Sequence, residues 1–446
     1  MNRTYIFEEL PVRQAVLKQI IPAVASQMIA LLYSLADTYF VGMLNAPAQT
    51  AAITVVYSAF IMLTALSNLF GIGGASVIAR RLGKKNPQAA QEVSSVCFWF
   101  GAAIAVCFSL FFLLFAHPIL YLCGANESTF ALAYTYAKWV IVYGGIFSIL
   151  STLLANLIRA EGSAAQASFG LSLGGILNII LDPLFILPQF LGFGVVGAGM
   201  ATALSNLVSV LYFLLYLCRR KGQTLININP QYLPKAKLYL KEVLSIGFPS
   251  ALQYGLTVVA VAAQSKFVSQ YATEAIAGLG IVKKLDQLPL YFSIGVASGL
   301  LPLLAYTHSA GKEERRKQAF RFGVSISFGF SMLCLIVYEL FAPQLASLFI
   351  SDTLTIEYSA SFLRRMVTAM PFMALCYPMI IQFQAMGKVK EALVTSVLRK
   401  GILDVPLLFI MDAILPLYGC MWVQPIVDCI SLIVASLFLH RLKKQE

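Results

Sequence analysis

The chain has 446 residues, 59% of them hydrophobic and only 12% charged, with a formal net charge of +12 and a mean hydropathy of +0.80. Soluble proteins carry roughly 25% charged residues, so soluble multidomain classes are excluded. The basic excess falls in short loops between apolar runs, which removes the nucleic-acid reading that a positive balance otherwise invites.

Runs of about 20 apolar residues recur along the whole length, the pattern of a polytopic helical membrane protein. The short alternating segments of a β-barrel are not visible. Twelve spans are expected, at 15–43, 52–79, 92–115, 131–158, 164–187, 194–218, 242–271, 276–308, 316–342, 357–384, 391–411 and 417–440. Several exceed the length needed to cross, which implies tilt or extension beyond the lipid.

In chain order, the first span places Asp37 in apolar sequence, with Tyr33 one turn before it on the same face. Gly42 and Asn45 mark the end of this span, so a position facing outer water competes with a functional role. The fourth span closes on Asn156, just before Arg159-Ala-Glu-Gly162; cavity lining and membership of that polar loop are equal readings. The fifth span holds Asn178 and Asp182, stacked four residues apart, and Pro183, which lacks an N–H and frees a nearby carbonyl. An ionisable carboxylate at membrane depth is costly and marks a functional site by default. Capping a helix end is the competing reading. The sixth span opens with small residues and then Thr202, whose hydroxyl suits ligation or a backbone hydrogen bond.

The second half is poorer in such signals. Gln253 and Gln264 are candidate cavity residues of the seventh span, and Gln264 stands where the repeat described below would put a partner for Asp37. In the eleventh span Asp404 lies four residues after Lys400, so mutual neutralisation competes with a place in the cavity; Lys283, Lys284 and Asp286 repeat that theme in the eighth. Lys138 and Arg364 are expected to snorkel to headgroups. The eight cysteines have no paired spacing and read as small hydrophobes.

The loops set the expected orientation. Lys and Arg cluster in alternate loops (Arg80 to Lys85, Arg219 to Lys241, Lys312 to Arg321, Lys388 and Lys390), while the loops between them carry none. The positive-inside rule then places both termini in the cytoplasm. The halves also repeat, at an offset near 226 residues: Leu17 to Pro22 matches Leu244 to Pro249, Gly71 to Lys84 matches Gly299 to Lys312, and Gly175 to Asn178 matches Gly401 to Asp404. Six spans per half start on one side, so the repeat is parallel, about an axis along the membrane normal. The expected fold is therefore all-α, with twelve transmembrane helices in two six-helix lobes, 1–218 and 242–446, joined by a basic linker, 219–241, along the cytoplasmic surface.

No phosphate loop, metal-spaced His/Cys set or nucleophile elbow is present. The chain is not expected to be an enzyme or to hold a cofactor, and its energy is expected to come from an ion gradient. Asp37, Asn178 and Asp182 would meet if the first and fifth spans pack together. Two close acids repel, which favours a shared proton, and the same oxygens suit Na⁺.

Ala36-Asp-Thr-Tyr-Phe-Val-Gly42, Gly71-Ile-Gly-Gly-Ala-Ser76 with Arg81-Leu-Gly-Lys84, Arg159-Ala-Glu-Gly162 and Asn178-Ile-Ile-Leu-Asp-Pro183 together resemble the multidrug and toxic compound extrusion (MATE) family. The resemblance covers essentially the whole chain, is to the prokaryotic DinF- and MepA-like branches, and implies the plasma membrane of a prokaryote. It implies two lobes around a central cleft and export of cationic or amphipathic organic compounds against inward H⁺ or Na⁺. It also implies ion coupling at Asp37, Asn178, Asp182 and Thr202, with Tyr33 and Asn156 in the cavity. Some branches carry an acid in the seventh span; Pro249-Ser-Ala-Leu-Gln253 has none, which favours the amino-terminal lobe. The alternative within the wider superfamily is a flippase for a lipid-linked oligosaccharide or cell-wall precursor, with Arg364, Arg365, Arg399 and Lys400 as phosphate-binding candidates. No obligate protein partner is expected beyond the small-molecule substrate and the bilayer.

Overall fold

A computed structural model describes residues 5–44 and 46–445; Asn45, expected at the end of the first span, lies outside them. After a turn of helix, α1 (Tyr5–Glu8), come α2 (Val12–Gly42), α3 (Pro47–Gly83) and α4 (Pro87–Leu122). The next span is bent by 44°, where α5 (Glu127–Ala137) passes through a π-helical stretch, Lys138–Tyr143, into α6 (Gly145–Ala160). Next come α7 (Ala164–Ile186) and α8 (Val195–Arg219). The second half runs through α9 (Ala236–Val268), α10 (Thr273–Ser309), α11 (Glu313–Ser347), α12 (Thr353–Met366) and α13 (Met370–Ala385). It ends with α14 (Val389–Val397), α15 (Asp404–Ile414) and α16 (Gly419–Gln445).

Polar side chains start these helices where the apolar runs begin. Asn86 accepts the Ala89 N–H at 3.0 Å, Asp352 accepts that of Thr355 at 2.8 Å, and Asn126 and Thr129 form a reciprocal box at the head of α5. Each cap contributes about 1 kcal/mol and satisfies donors that lipid cannot.

Among the described residues, ten helices are long and apolar enough to cross a membrane, and the bent pair makes eleven. The chain is an all-α, multi-pass membrane protein. The eleventh expected crossing, 391–411, is broken. Lys400 (φ −141°, ψ 103°) and Gly401 (φ 143°) leave helical geometry inside the π-helical stretch Leu398–Ile402, and α14 and α15 are each too short to cross alone. This break corrects the expected pairing of Lys400 with Asp404, because positions four apart stack only along an unbroken helix. The seventh span also begins earlier than expected, at Ala236, so the connecting segment is shorter than 219–241. That segment is tied down: Glu161 Oε2 accepts from Thr224 Oγ1 at 3.0 Å and from the Leu225 N–H at 2.7 Å, and Trp99 Nε1 donates to Ile228 O at 3.0 Å.

Among the described residues, the largest buried cluster spans both halves at one end. At the end of the basic loops one hydrophobic core unites both, from Val16, Ile20 and Ile78 to Val243, Leu300 and Leu304. Toward the opposite end the buried clusters separate. One, around Val56, Phe112 and Val195, belongs to the first half, and another, around Val282, Phe362 and Met421, to the second. Glycines make the union close. A Cβ on Gly73 would stand 2.2 Å from Val243 O, and one on Gly247 would stand 1.8 Å from Leu69 O, so α3 and α9 touch backbone to backbone. Gly295 and Gly299 do the same for α10 against Val24 and Ile20 of α2.

Candidate functional site

The same device builds the site in the first half. Gly174 and Gly175 are adjacent, so they face different neighbours. A Cβ on Gly174 would fall 2.1 Å from Ser209 Oγ of α8, and one on Gly175 would fall 2.7 Å from Ile29 Cγ2 and 3.4 Å from Tyr33 Cδ1 of α2. Without side chains there, α7 wedges between α2 and α8. One and two turns further along α7 come Asn178, 3% exposed, and Asp182, fully buried. Asn178 Nδ2 donates to Asp182 Oδ1 at 3.2 Å and lies 3.5 Å from Thr202 Oγ1 of α8. From α2, Asp37 is close enough for its charge to act on Asp182.

The donors are few and the acceptors many. Asp37 Oδ1, Asn178 Oδ1 and Asp182 Oδ2 are all buried with no hydrogen-bond partner. Among the described residues, two carboxylates and an amide carbonyl thus gather without a cationic side chain bonded to either acid. Orphaned buried acceptors are rare in folded proteins and call for an explanation. A proton or an oxygen-ligated monovalent cation supplies one, because either satisfies the lone pairs and reduces the repulsion.

Asp37, Asn178, Asp182 and Thr202 therefore come together, and Tyr33 lies beside them. Sequence reasoning missed Tyr136, a buried residue of α5 within electrostatic reach of Asp37, Asp182 and Tyr33. Nothing local marks it, since only the packing of α5 brings it there. Asn156 is elsewhere: its Oδ1 accepts from Arg159 Nη1 at 2.9 Å, near the shared core. Gln253 is buried in α9, and its backbone carbonyl accepts from Thr257 Oγ1 at 2.7 Å. Gln264 Nε2 donates to Cys420 O at 3.1 Å, a packing bond to α16. Asp404 Oδ2 accepts the Gly401 N–H at 2.8 Å, and Lys400 donates to Gln424 Oε1 instead. Lys138 lies 4.6 Å over the Tyr134 ring.

The MatE family model matches this chain twice, at residues 22–184 and 249–410. The chain belongs to the MatE family. The two matches begin and end at nearly the same offset as the sequence repeat, so each half is one copy of the MatE unit. The multidrug export protein MepA of Staphylococcus aureus (strain MRSA252) is 30% identical over 443 residues, 99% of this chain and 96% of its own length. The MepA of Staphylococcus saprophyticus is 28% identical over 442 residues, again 99% of this chain and 96% of the relative. Among solved structures, the outward-facing conformation of a multidrug resistance MATE family transporter of the MOP superfamily superposes with a TM-score of 0.91, at 25% identity over 99% of each chain.

Proposed function

We propose that this protein exports cationic or amphipathic organic compounds by alternating access, driven by inward movement of H⁺ or Na⁺ through the first half. One observation carries the reading: the three buried oxygens of Asp37, Asn178 and Asp182 that have no hydrogen-bond partner among the described residues. The names of the relatives support the broad substrate class, and a further solved MATE neighbour is in complex with the compound MaD3S. The positive-inside distribution of Lys and Arg supports cytoplasmic termini in a prokaryotic plasma membrane. The united core then lies at the cytoplasmic end and the acid site near the outer end.

Here 1–218 and 242–446 are the moving lobes. A cation entering from outside binds the Asp37–Asp182 pair, with Asn178 and Thr202 holding the ligating geometry. Binding removes the repulsion between α2 and α7 and changes how those helices pack. A ligand shifts a conformational equilibrium only by its differential affinity for the two states. The acid pair provides that difference if the cation holds the two helices together more strongly in one state. The flippase reading is weaker, because three of its four candidate cations are engaged: Arg399 with Asp428, Lys400 with Gln424, and Arg365 with Ser361 and the Tyr418 ring.

The test is ethidium transport in proteoliposomes under a Na⁺ gradient or a pH gradient imposed separately. Transport driven by one gradient and lost in Asp182→Asn supports the reading and names the ion. Gradient-driven transport that survives intact in both Asp37→Asn and Asp182→Asn sinks it.

A further inference from the structure

The second half holds its own cluster of buried charge, on helices that the repeat relates to those of the acid site. The offset between the halves carries Asn178 onto Asp404 and Thr202 onto Asp428. Asp428, in the middle of α16, was not singled out from sequence. Its side chain is fully buried and its Oδ1 lies 3.0 Å from Arg399 Nε, itself 2% exposed. The Arg399 guanidinium stacks 4.1 Å over the Tyr377 ring. Lys400, the next residue, is fixed on Gln424 of α16, one turn from Asp428.

The break in the helix makes this arrangement possible. Gly401 adopts φ 143°, a region that side chains rarely enter. Its N–H is held by Asp404 Oδ2 at 2.8 Å. The chain thus distorts the segment that carries Arg399 and holds the distortion with the acid that the repeat relates to Asn178. In the first half the matching positions surround two carboxylates and bond no base. In the second, a permanently charged guanidinium sits directly on the carboxylate. Arginine does not lose its proton in proteins, so this position never empties.

We infer that the second half contains a latent monovalent-cation site, built on Asp428 with Asp404 and Gln424, whose ligand is the chain's own Arg399. This rests on the reading of the Asp37–Asp182 site as a cation site. Ion coupling is then one-sided by construction: the first half borrows its counter-ion from solution, and the second carries a tethered one. Removing the tether should turn the second half into a site that takes a proton or Na⁺.

The groups that bear on Asp428 are Arg399 and Lys400 from the π-helical stretch and Asp404 from α15. Asp286 of α10 and Cys376 of α13 also reach it, as does Gln424 of its own helix. Tyr377 faces it through Arg399. The neutral groups do not replace the guanidinium charge, and the Lys400 ammonium is held on Gln424.

The test uses full-length protein in nanodiscs, with thermal unfolding followed against Na⁺ at fixed pH and against pH in K⁺. All second-half variants are made on Asp182→Asn, which silences the first site. In that background Asp182→Asn alone should be insensitive to cation. Adding Arg399→Gln should restore a cation-dependent rise in Tm of roughly 5 °C at saturation, and adding Asp428→Asn as well should abolish it. A folded Asp182→Asn, Arg399→Gln protein that responds to neither Na⁺ nor pH overturns the inference. If the wild type itself shows no cation response, the first-half reading fails separately, because the second-half arm is still read on its own. If Arg399→Gln yields no folded protein, Arg399→Ala purified with millimolar guanidinium takes its place. Monodisperse yield rescued by guanidinium and not by urea supports the tethered-cation assignment; equal yields in both overturn it.

Discussion

Gly247→Ala should open the closed end of the molecule. Its new Cβ would stand 1.8 Å from Leu69 O and 2.6 Å from Leu69 C, both backbone atoms, whereas ordinary contact starts at 3.4 Å. No rotamer relieves a backbone overlap, so α3 and α9 must part by about 1.5 Å. Overpacking of this kind costs about 1–3 kcal/mol. The cost falls only on states in which these helices touch. At 1.4 kcal/mol per factor of ten, it shifts the equilibrium roughly 5- to 150-fold toward states open at this end. Spin labels at Lys84→Cys and Glu314→Cys, on a background without native cysteines, report the separation as a longer or broader distance distribution. Gly255→Ala is the control, since a Cβ there meets nothing within 4 Å on the same helix. Distances in Gly247→Ala that match those in Gly255→Ala and the wild type would refute the close-contact reasoning.

Other perturbations are equally direct. Asp182→Asn should abolish ion-driven export at unchanged folded yield, measured by ethidium efflux and size-exclusion profile, because the amide keeps the shape and loses the charge. Gly175→Leu should push α7 from α2, where a Cβ already meets Ile29 at 2.7 Å; the expected result is export reduced at least tenfold, with Asp37→Asn adding little. Glu161→Ala removes the acceptor of the Thr224 hydroxyl and Leu225 N–H bonds. Leaving such groups unmet costs about 1–3 kcal/mol, so limited proteolysis should cut between residues 220 and 230 faster than in the wild type. Tyr136→Phe should alter the ion dependence of export more than its maximal rate, read as half-saturation against imposed gradient.

Much of the architecture was legible because lipid imposes a coarse rule: apolar runs of sufficient length become helices, whatever their details. Asp37, Asn178, Asp182 and Thr202 were legible for the same reason, since polar atoms stand out in a hydrocarbon background. The break at Lys400 and Gly401 was hidden because a single glycine in an apolar run is compatible with an unbroken helix. Asp428 was hidden because its partner Arg399 comes from the broken segment before it, although the repeat with Thr202 points to it. The place of Tyr136 beside the acids depends on which helices pack together, which periodicity along one chain does not encode.

The broken crossing also bears on biosynthesis. Residues 389–414 bring Arg399, Lys400 and Asp404 into a segment whose two helices are each too short to span. A charged residue at mid-membrane costs about 2.5–3.5 kcal/mol on insertion scales. Asp428 and Gln424, which offset the two cations, are synthesised only afterwards, in α16. Stable insertion of this segment is therefore a joint event with the last helix. A nascent chain truncated before Asp428 should leave 389–414 accessible to the ribosome's side of the membrane, and one extended through α16 should bury it.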